Sequence, residues 1–225
     1  MNVTDRLIWR VLAACLLASA LGAWRPVDDP KTLILFDGKT LDGWKKADFF
    51  KPGEVAVDDG TIVMKAGPKM TGITCTRKDL PKTDYEFTYE AMKVDGPDFF
   101  AAATFPVGDS HITFVNGGWG GFVTGLSSLN GSDASENETT RSVKYEPKTW
   151  YKFRVRVTKK VIRCAIDGKE VAAVDYSNRK VGTRVETNAS KPLGFATYET
   201  TGAVRKIEVR PLTPAEVVAA DKIED

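Results

Sequence analysis

The residues that could do chemistry begin with one histidine and two carboxylates, placed in rows where polar and apolar residues alternate. His111 is the only histidine in the 225-residue chain, and Asp109 lies two positions before it, so on an extended strand both project to the same face. Glu90 belongs to a second polar row. Because carboxylates and an imidazole that converge suffice for general acid/base chemistry, we predict Glu90, Asp109 and His111 as the catalytic residues. The alternative is that both rows face water.

Two other kinds of reactive site are disfavoured by these residues. One histidine cannot supply a zinc site built on several histidines, and we expect no metal among the site residues. Asp109, Ser110 and His111 have the composition of a serine-hydrolase triad. On a strand, however, Ser110 points to the face opposite the other two, which argues against that mechanism.

A tryptophan among glycines is the strongest candidate for ligand contact. Residues 117–121 read GGWGG, which leaves the indole of Trp119 little local side-chain cover. Such a ring beside a groove can stack on a sugar or another flat apolar face. We therefore predict Trp119, Gly118 and Gly120 as substrate-binding residues. A tryptophan folded back onto the core, with glycines serving tight turns, remains the alternative.

The charged residues indicate no dedicated ionic partner. Removal of residues 1–23 would leave 30 basic and 29 acidic residues from the 32 and 30 of the whole chain, a balance that argues against a nucleic-acid surface. Asp133, Glu136 and Glu138 could bind calcium in a polar loop (130–140), but their spacing matches no recognised motif. We expect no cofactor, and the sequence leaves the oligomeric state open.

The first 23 residues have the layout of a secretory signal peptide. A short stretch with two arginines precedes an apolar run from Val11 to Leu21, and small residues follow it. That run is about half the ~20 residues of a membrane-spanning helix, and no later segment is long enough to span. We expect a secreted or periplasmic protein. Acylation at Cys15, which follows a lipobox-like Leu-Ala-Ala, is the less favoured alternative.

The sequence predicts short strands separated by turns, and these strands must position the candidate site residues. Asp59-Gly60 and Asp167-Gly168 each join two strand-like runs in a two-residue hairpin. In the second hairpin, this turn length places Ile162 and Cys164 beside Val171 and Ala173. The spacing predicts an all-β, two-sheet antiparallel sandwich over residues 33–212, after a linker at 24–32. Residues 213–225 are expected to form a short C-terminal helix, capped by a Thr-Pro-Ala-Glu sequence, and a tail.

Two cysteines remain after the leader. Cys75 and Cys164 each alternate with apolar neighbours, so we expect both to face the core. An oxidising compartment would let them form a disulfide if their Cα atoms lie within about 7 Å. The sequence leaves that pairing open.

Several segments together resemble one known family. LFDGKTLDGW (35–44), VAVDDGTIV (55–63), DYEFTYE (84–90) and WYKFRV (150–155) are similar to the 3-keto-disaccharide hydrolase family, and the resemblance continues to residue 210. It implies a concanavalin A-like jelly roll with a ligand groove on its concave sheet. It also implies hydrolysis of glycosides oxidised at C3, while a non-catalytic, lectin-like carbohydrate-binding module is the alternative for this fold.

The chain departs from the family pattern in the region that follows Glu90. An Asn-Ser-Gly type segment is expected there, whereas this sequence reads DFFAAAT from Asp98 to Thr104. The family's next glutamate-bearing strand is replaced by the glycine-rich region around Trp119. We therefore expect a divergent branch, with Asp98 as a further substrate-binding residue.

Overall fold

The computed structural model describes residues 31–223. The predicted leader, Cys15 and the last two residues lie outside the described part. Within it the chain forms fifteen strands: β1 (Leu33–Ile34), β2 (Trp44–Lys46), β3 (Val55–Asp58), β4 (Thr61–Met64), β5 (Met70–Cys75), β6 (Tyr85–Asp95), β7 (Ala102–Val107), β8 (Ser110–Gly117), β9 (Val123–Ser127), β10 (Arg141–Ser142), β11 (Trp150–Val157), β12 (Val161–Ile166), β13 (Lys169–Asp175), β14 (Gly194–Tyr198) and β15 (Thr201–Pro211).

These strands form two antiparallel sheets, which confirms the predicted all-β sandwich. The eight-stranded sheet has the order β13-β12-β11-β6-β15-β4-β3, with β1 paired to β15. The seven-stranded sheet has the order β10-β9-β8-β7-β14-β5-β2. Neighbouring strands are often distant in sequence, as β6 is from β15, so each sheet is held together by long-range pairing.

Both predicted hairpins are present, but the register of the second one is not the expected one. Asp59-Gly60 joins β3 to β4 and Asp167-Gly168 joins β12 to β13. A bulge shifts the second pairing, so that Cys164 lies opposite Ala172 and Ile162 opposite Val174. The prediction of Val171 and Ala173 at those places is wrong because the extra residue moves the next side chains to the other face.

Aromatic side chains fill the space between the sheets. Tyr89 of β6 stacks on Phe153 of β11 with ring centroids 4.9 Å apart, and meets Phe195 of the other sheet edge-on at 4.9 Å. Burial of each such side chain contributes on the order of 1.5–3 kcal/mol. Cys75 and Cys164 are buried here as free thiols, which confirms that both face the core.

The C-terminal helix spans Pro214–Ala220 and lies against the outer face of the eight-stranded sheet. Thr213 and Glu216 form a capping box, and Glu216 also binds Arg210 of β15. Arg163 of β12 donates to the carbonyl of Ala220, which ties the helix end to the sheet. No helix among residues 31–223 is long and apolar enough to cross a membrane.

Candidate functional site

A cavity of about 360 Å³ opens on the outer face of the seven-stranded sheet, and we refer to it as the groove. It combines a sheet floor, an aromatic wall and a charged end. Its lining residues are Met70, Asp98, Phe99, Ala102, Thr113, Val115, Trp119, Ser127, Arg184, Glu186, Thr187 and Tyr198.

The floor of the groove comes from the alternation of β8. Ile112 and Phe114 are fully buried between the sheets, so Thr113 and Val115 project to the outer face. The Thr113 hydroxyl lies 2.9 Å from that of Thr104 on β7 and donates to the hydroxyl of Thr187 at 3.2 Å. The floor therefore carries hydroxyl groups in a fixed arrangement between apolar side chains.

The aromatic wall consists of Phe99 from the segment before β7, Trp119 from the glycine-rich loop and Tyr198 from the end of β14. Phe99 and Tyr198 pack with ring centroids 5.9 Å apart at 44°, and the Tyr198 N–H donates to the Phe99 carbonyl at 3.0 Å. Trp119 is 43% exposed and lines the same cavity. The structure thus places Trp119 at the groove and not in the core, as required for a stacking surface.

The loop that carries Trp119 is held by Asp98. One carboxylate oxygen of Asp98 accepts the N–H of Gly120 at 2.8 Å, and the other accepts the N–H of Phe99 at 2.8 Å. Gly120 has φ +82° and Trp119 itself φ +50°, so this loop uses the left-handed region. A Cβ on Gly118 would lie 2.8 Å from the Val115 side chain. The four residues predicted to bind substrate therefore lie together, two lining the groove and two shaping its loop.

A charged cluster forms the other end of the groove. Arg184 donates to both carboxylate oxygens of Glu186, at 3.0 and 3.3 Å, and also pairs with Asp133. The hydrogen bonds from Arg184 lower the pKa of Glu186, so this carboxylate is ionised at neutral pH. Ser127 donates to Asp133 and adds a hydroxyl to this end. Asp133, one of the acids considered for calcium, is thus engaged by a guanidinium group.

A segment that includes the 3-10 helix Val185–Ser190 crosses the outer face of the seven-stranded sheet, and we call residues 184–192 the strap. Thr187 contacts Thr113 at the groove, while the Ala189 carbonyl accepts from Thr74 of β5 at 2.6 Å. The far side of the strap borders a second cavity, which contains His111. The strap therefore lies between the groove and the predicted catalytic imidazole.

Asp109 and His111 both line this second cavity, but only His111 belongs to a strand. Asp109 lies in the turn before β8, its side chain is 98% exposed, and it pairs with Lys82 at 2.8 Å. That hydrogen bond lowers the pKa of Asp109. His111 is half-buried, and burial together with Lys191 and Lys82 lowers its pKa. The turn extends through Asp109, so strand alternation does not determine the direction of its side chain.

Glu90 lies on the other sheet, so the predicted cluster of three reactive residues does not form. It projects from β6 to the outer face of the eight-stranded sheet, where it pairs with Arg205 and Lys206, each at 2.8 Å. Partial burial opposes ionisation of Glu90, but hydrogen bonds from Lys206 and Arg205 outweigh it and lower the pKa. The aromatic core separates Glu90 from Asp109 and His111, because β6 and β8 belong to different sheets.

Several groove residues were not singled out from the sequence. Arg184 and Glu186 lie in a segment without strand or helix periodicity, and only the folded strap brings them to the groove. Thr113 lies two residues after His111 in the same polar row, and Phe99 lies in the divergent segment that starts at Asp98. The sequence therefore pointed to the surroundings of both residues, although neither was predicted. Tyr198 carried none beyond its place in an apolar strand.

Comparison with protein families gives a match that covers most of the chain. The family model described as a 3-keto-alpha-glucoside-1,2-lyase-like domain matches residues 32–210, which is most of the chain. No curated protein matches the chain.

Solved structures with the same fold include proteins that act on or bind carbohydrates. The carbohydrate-binding module CBM66 from Bacillus subtilis aligns with TM-score 0.51 and 9% identity, over 75% of this chain and 95% of its own. The Crh5 transglycosylase aligns with TM-score 0.53 and 14% identity, over 82% and 85%. Domain 4 of AbnA, an extracellular arabinanase from Geobacillus stearothermophilus in complex with arabinotriose, aligns with TM-score 0.50 and 16% identity, over 80% and 88%. At these identities the likeness establishes the fold.

Proposed function

Because the chain belongs to the family of 3-keto-alpha-glucoside-1,2-lyase-like domains, we propose that it binds a saccharide in the groove and that glycosides oxidised at C3 are its ligands. The observation that carries this proposal is the composition of the groove. Exposed Trp119 and the pair of Phe99 and Tyr198 provide apolar faces. The rest of the lining includes polar side chains, among them Thr113, Ser127 and Arg184. A pyranose ring presents the same combination of an apolar face and polar edges.

The contacts of the groove carboxylates favour binding over proton abstraction. Both oxygens of Asp98 are occupied by backbone N–H groups, and Glu186 is paired with Arg184. A general base works best with a pKa near neutrality, whereas the pKa of Glu186 is lowered. Binding is therefore the function that the geometry supports best.

Cleavage of a 3-keto-glycoside is a second candidate, which the family description favours. The C3 ketone acidifies the proton on C2. Once substrate displaces Arg184 from Glu186, this carboxylate would take the C2 proton, and the electron pair would move to the C3 oxygen as an enolate beside the guanidinium. Re-formation of the ketone would break the C1–O bond, an acid would protonate the departing oxygen, and water would add to the unsaturated sugar.

The catalytic roles predicted from the sequence for Glu90, Asp109 and His111 stay a prediction, and the position of Glu90 on the opposite sheet argues against a cluster of all three. Incubation of the purified protein with matched glycosides and 3-keto-glycosides tests both candidates. Calorimetry reports binding, and NMR of the sugar reports C1–O cleavage. Binding without cleavage supports the binding module, whereas neither binding nor cleavage across the panel contradicts the proposal.

We also propose that the protein is exported, on the basis of the leader-like sequence at residues 1–23. N-terminal sequencing of protein recovered outside the cytoplasm should begin after Ala20, Gly22 or Ala23. Retention of Met1 would contradict export with cleavage.

A further inference from the structure

The second cavity, on the far side of the strap from the groove, has a volume of about 490 Å³. It is built from the end of β5 and the segment after it, the β7–β8 turn, β2 and the strap. Its charged and titratable lining residues are Lys45, Cys75, Arg77, Lys78, Lys82, Asp109, His111 and Lys191.

The cations of this cavity outnumber the carboxylates that neutralise them. Arg77 pairs with Asp79 at 2.6 Å, and Lys82 pairs with Asp109 at 2.8 Å. The other three cations of the cavity form no ion pair with any residue between 31 and 223, and these are Lys45, Lys78 and Lys191. A concave surface lined by one sign of charge focuses its potential, which raises the local concentration of anions.

The cavity contains the half-buried imidazole of His111. Burial and then the charges of Lys191 and Lys82 lower its pKa. Within the described part of the chain, the imidazole makes no hydrogen bond, and Asp109 turns its carboxylate to Lys82 in solvent. A bound anion would reverse the effect of the lysines, because it would favour the charged imidazolium.

We propose that this cavity is an oxyanion site, one that takes a sulfate or carboxylate group through the three unpaired lysines and the His111 imidazole. The site lies outside the groove and does not depend on the function proposed for it. Two sources share this chemistry, a free inorganic anion and the acidic substituent of a saccharide. Sulfate is the first probe because its charge is constant from pH 4 to pH 9, so the titration observed belongs to the protein.

The single histidine permits a direct test by NMR on untagged protein. The imidazole C–H signals of His111 are followed against pH in sodium sulfate and in sodium chloride of equal ionic strength. We expect sulfate to raise the pKa of His111 by about half a unit or more, and to do so saturably, beyond the effect of chloride. Equal titration curves in the two salts would overturn the proposal.

A second arm identifies the source of the anion. Methyl glucuronoside is compared with methyl glucoside, which lacks only the carboxylate. A shift with the glucuronoside and not the glucoside assigns the site to acidic saccharides. A shift with sulfate alone assigns it to free inorganic anions.

Matched lysine variants distinguish a specific anion site from a general effect of the protein's positive charge. Lys191→Gln removes a cavity cation, and Lys45→Gln on β2 does so from a different element if the strap variant folds poorly. Lys169→Gln, at an exposed hairpin position, removes the same charge elsewhere. We expect at least a fivefold weaker sulfate affinity in a cavity variant and unchanged affinity in Lys169→Gln. Equal affinity in all of them would show that no site exists.

Discussion

The carboxylate of Asp98 accepts the backbone N–H of Gly120 at 2.8 Å, which ties the loop that carries Trp119 to the start of the segment leading into β7. The same carboxylate accepts the N–H of Phe99, so a single side chain positions both aromatic residues at the groove. The position of the exposed indole is therefore set by hydrogen bonds to the Asp98 side chain and not by burial.

Loss of Asp98 should loosen the aromatic wall. Asp98→Ala removes both acceptors, so we expect faster amide exchange at Gly120 and a saccharide affinity lowered at least as much as by loss of the indole itself. Hydrogen exchange and calorimetry on the same samples measure the two effects. Asp98→Asn keeps one acceptor oxygen and should give an intermediate result. Unchanged exchange at Gly120 in Asp98→Ala would contradict the positioning role.

A small side chain at position 118 should displace the same loop by a different route. In Gly118→Ala the new Cβ would lie 2.8 Å from the Val115 side chain, so that side chain or the loop must shift. We expect weaker saccharide binding with only a modest loss of stability. Gly182→Ala is the control for the effect of replacing glycine, because this loop glycine lies outside the left-handed region, would bring its Cβ no closer than 3.8 Å to another side chain, and does not line the groove. Equal saccharide affinity of Gly118→Ala and wild type would contradict this prediction, because it would mean that a shift of the loop does not affect binding.

If a 3-keto-glycoside is cleaved, the identity of the base can be read from three carboxylate variants. Glu186→Gln should lower kcat by about 10²–10⁴-fold, because loss of a general base typically costs that much. Glu90→Gln and Asp109→Asn should retain most turnover, since neither residue lines the groove. The opposite pattern would return the reaction to the residues first predicted from the sequence.

The capping box of the C-terminal helix gives a stability prediction that is independent of function. Hydrogen bonds from Arg210, opposed by partial burial and assisted by Thr213, lower the pKa of Glu216 to about 2. A lowered pKa in the folded state stabilises the protein above the unfolded value of about 4.5, and this stability is lost as the pH falls from there toward 2. Glu216→Gln should therefore cost about 1 kcal/mol near pH 7 and less near pH 3. Denaturant unfolding at both pH values measures this, and an equal cost at the two would contradict it.

The sequence predicted the fold more completely than the site, and particular residues show the physical reasons. Asp59-Gly60 and Asp167-Gly168 are local signals, because turn type depends only on neighbouring residues. The bulge that moves Ala172 opposite Cys164 is one residue long and had no such signal. The family motifs then supplied the jelly-roll architecture as a whole, but not the order of its strands.

Whether the predicted site residues lie together depends on which sheet each strand joins, and the local sequence pattern does not determine that. Glu90 and His111 both lay in polar rows, but β6 and β8 went to opposite layers. Trp119 was singled out because the glycines around it leave the indole little local cover, and the structure then distinguished exposure from packing on the core. Arg184 and Glu186 could not be found because the strap that brings them to the groove has no periodicity.

Calorimetric titration of a 3-keto-glucoside into wild-type protein, Trp119→Ala and Phe50→Ala is the most direct test that the groove is the saccharide site. Phe50 is 78% exposed and lines neither the groove nor the second cavity, so it controls for loss of an exposed aromatic ring. Since a stacked aromatic contact contributes about 1 kcal/mol, we expect Kd to rise about five- to tenfold in Trp119→Ala and to stay unchanged in Phe50→Ala, with all three proteins folded. Equal affinity of folded Trp119→Ala and wild type would contradict the assignment of the groove.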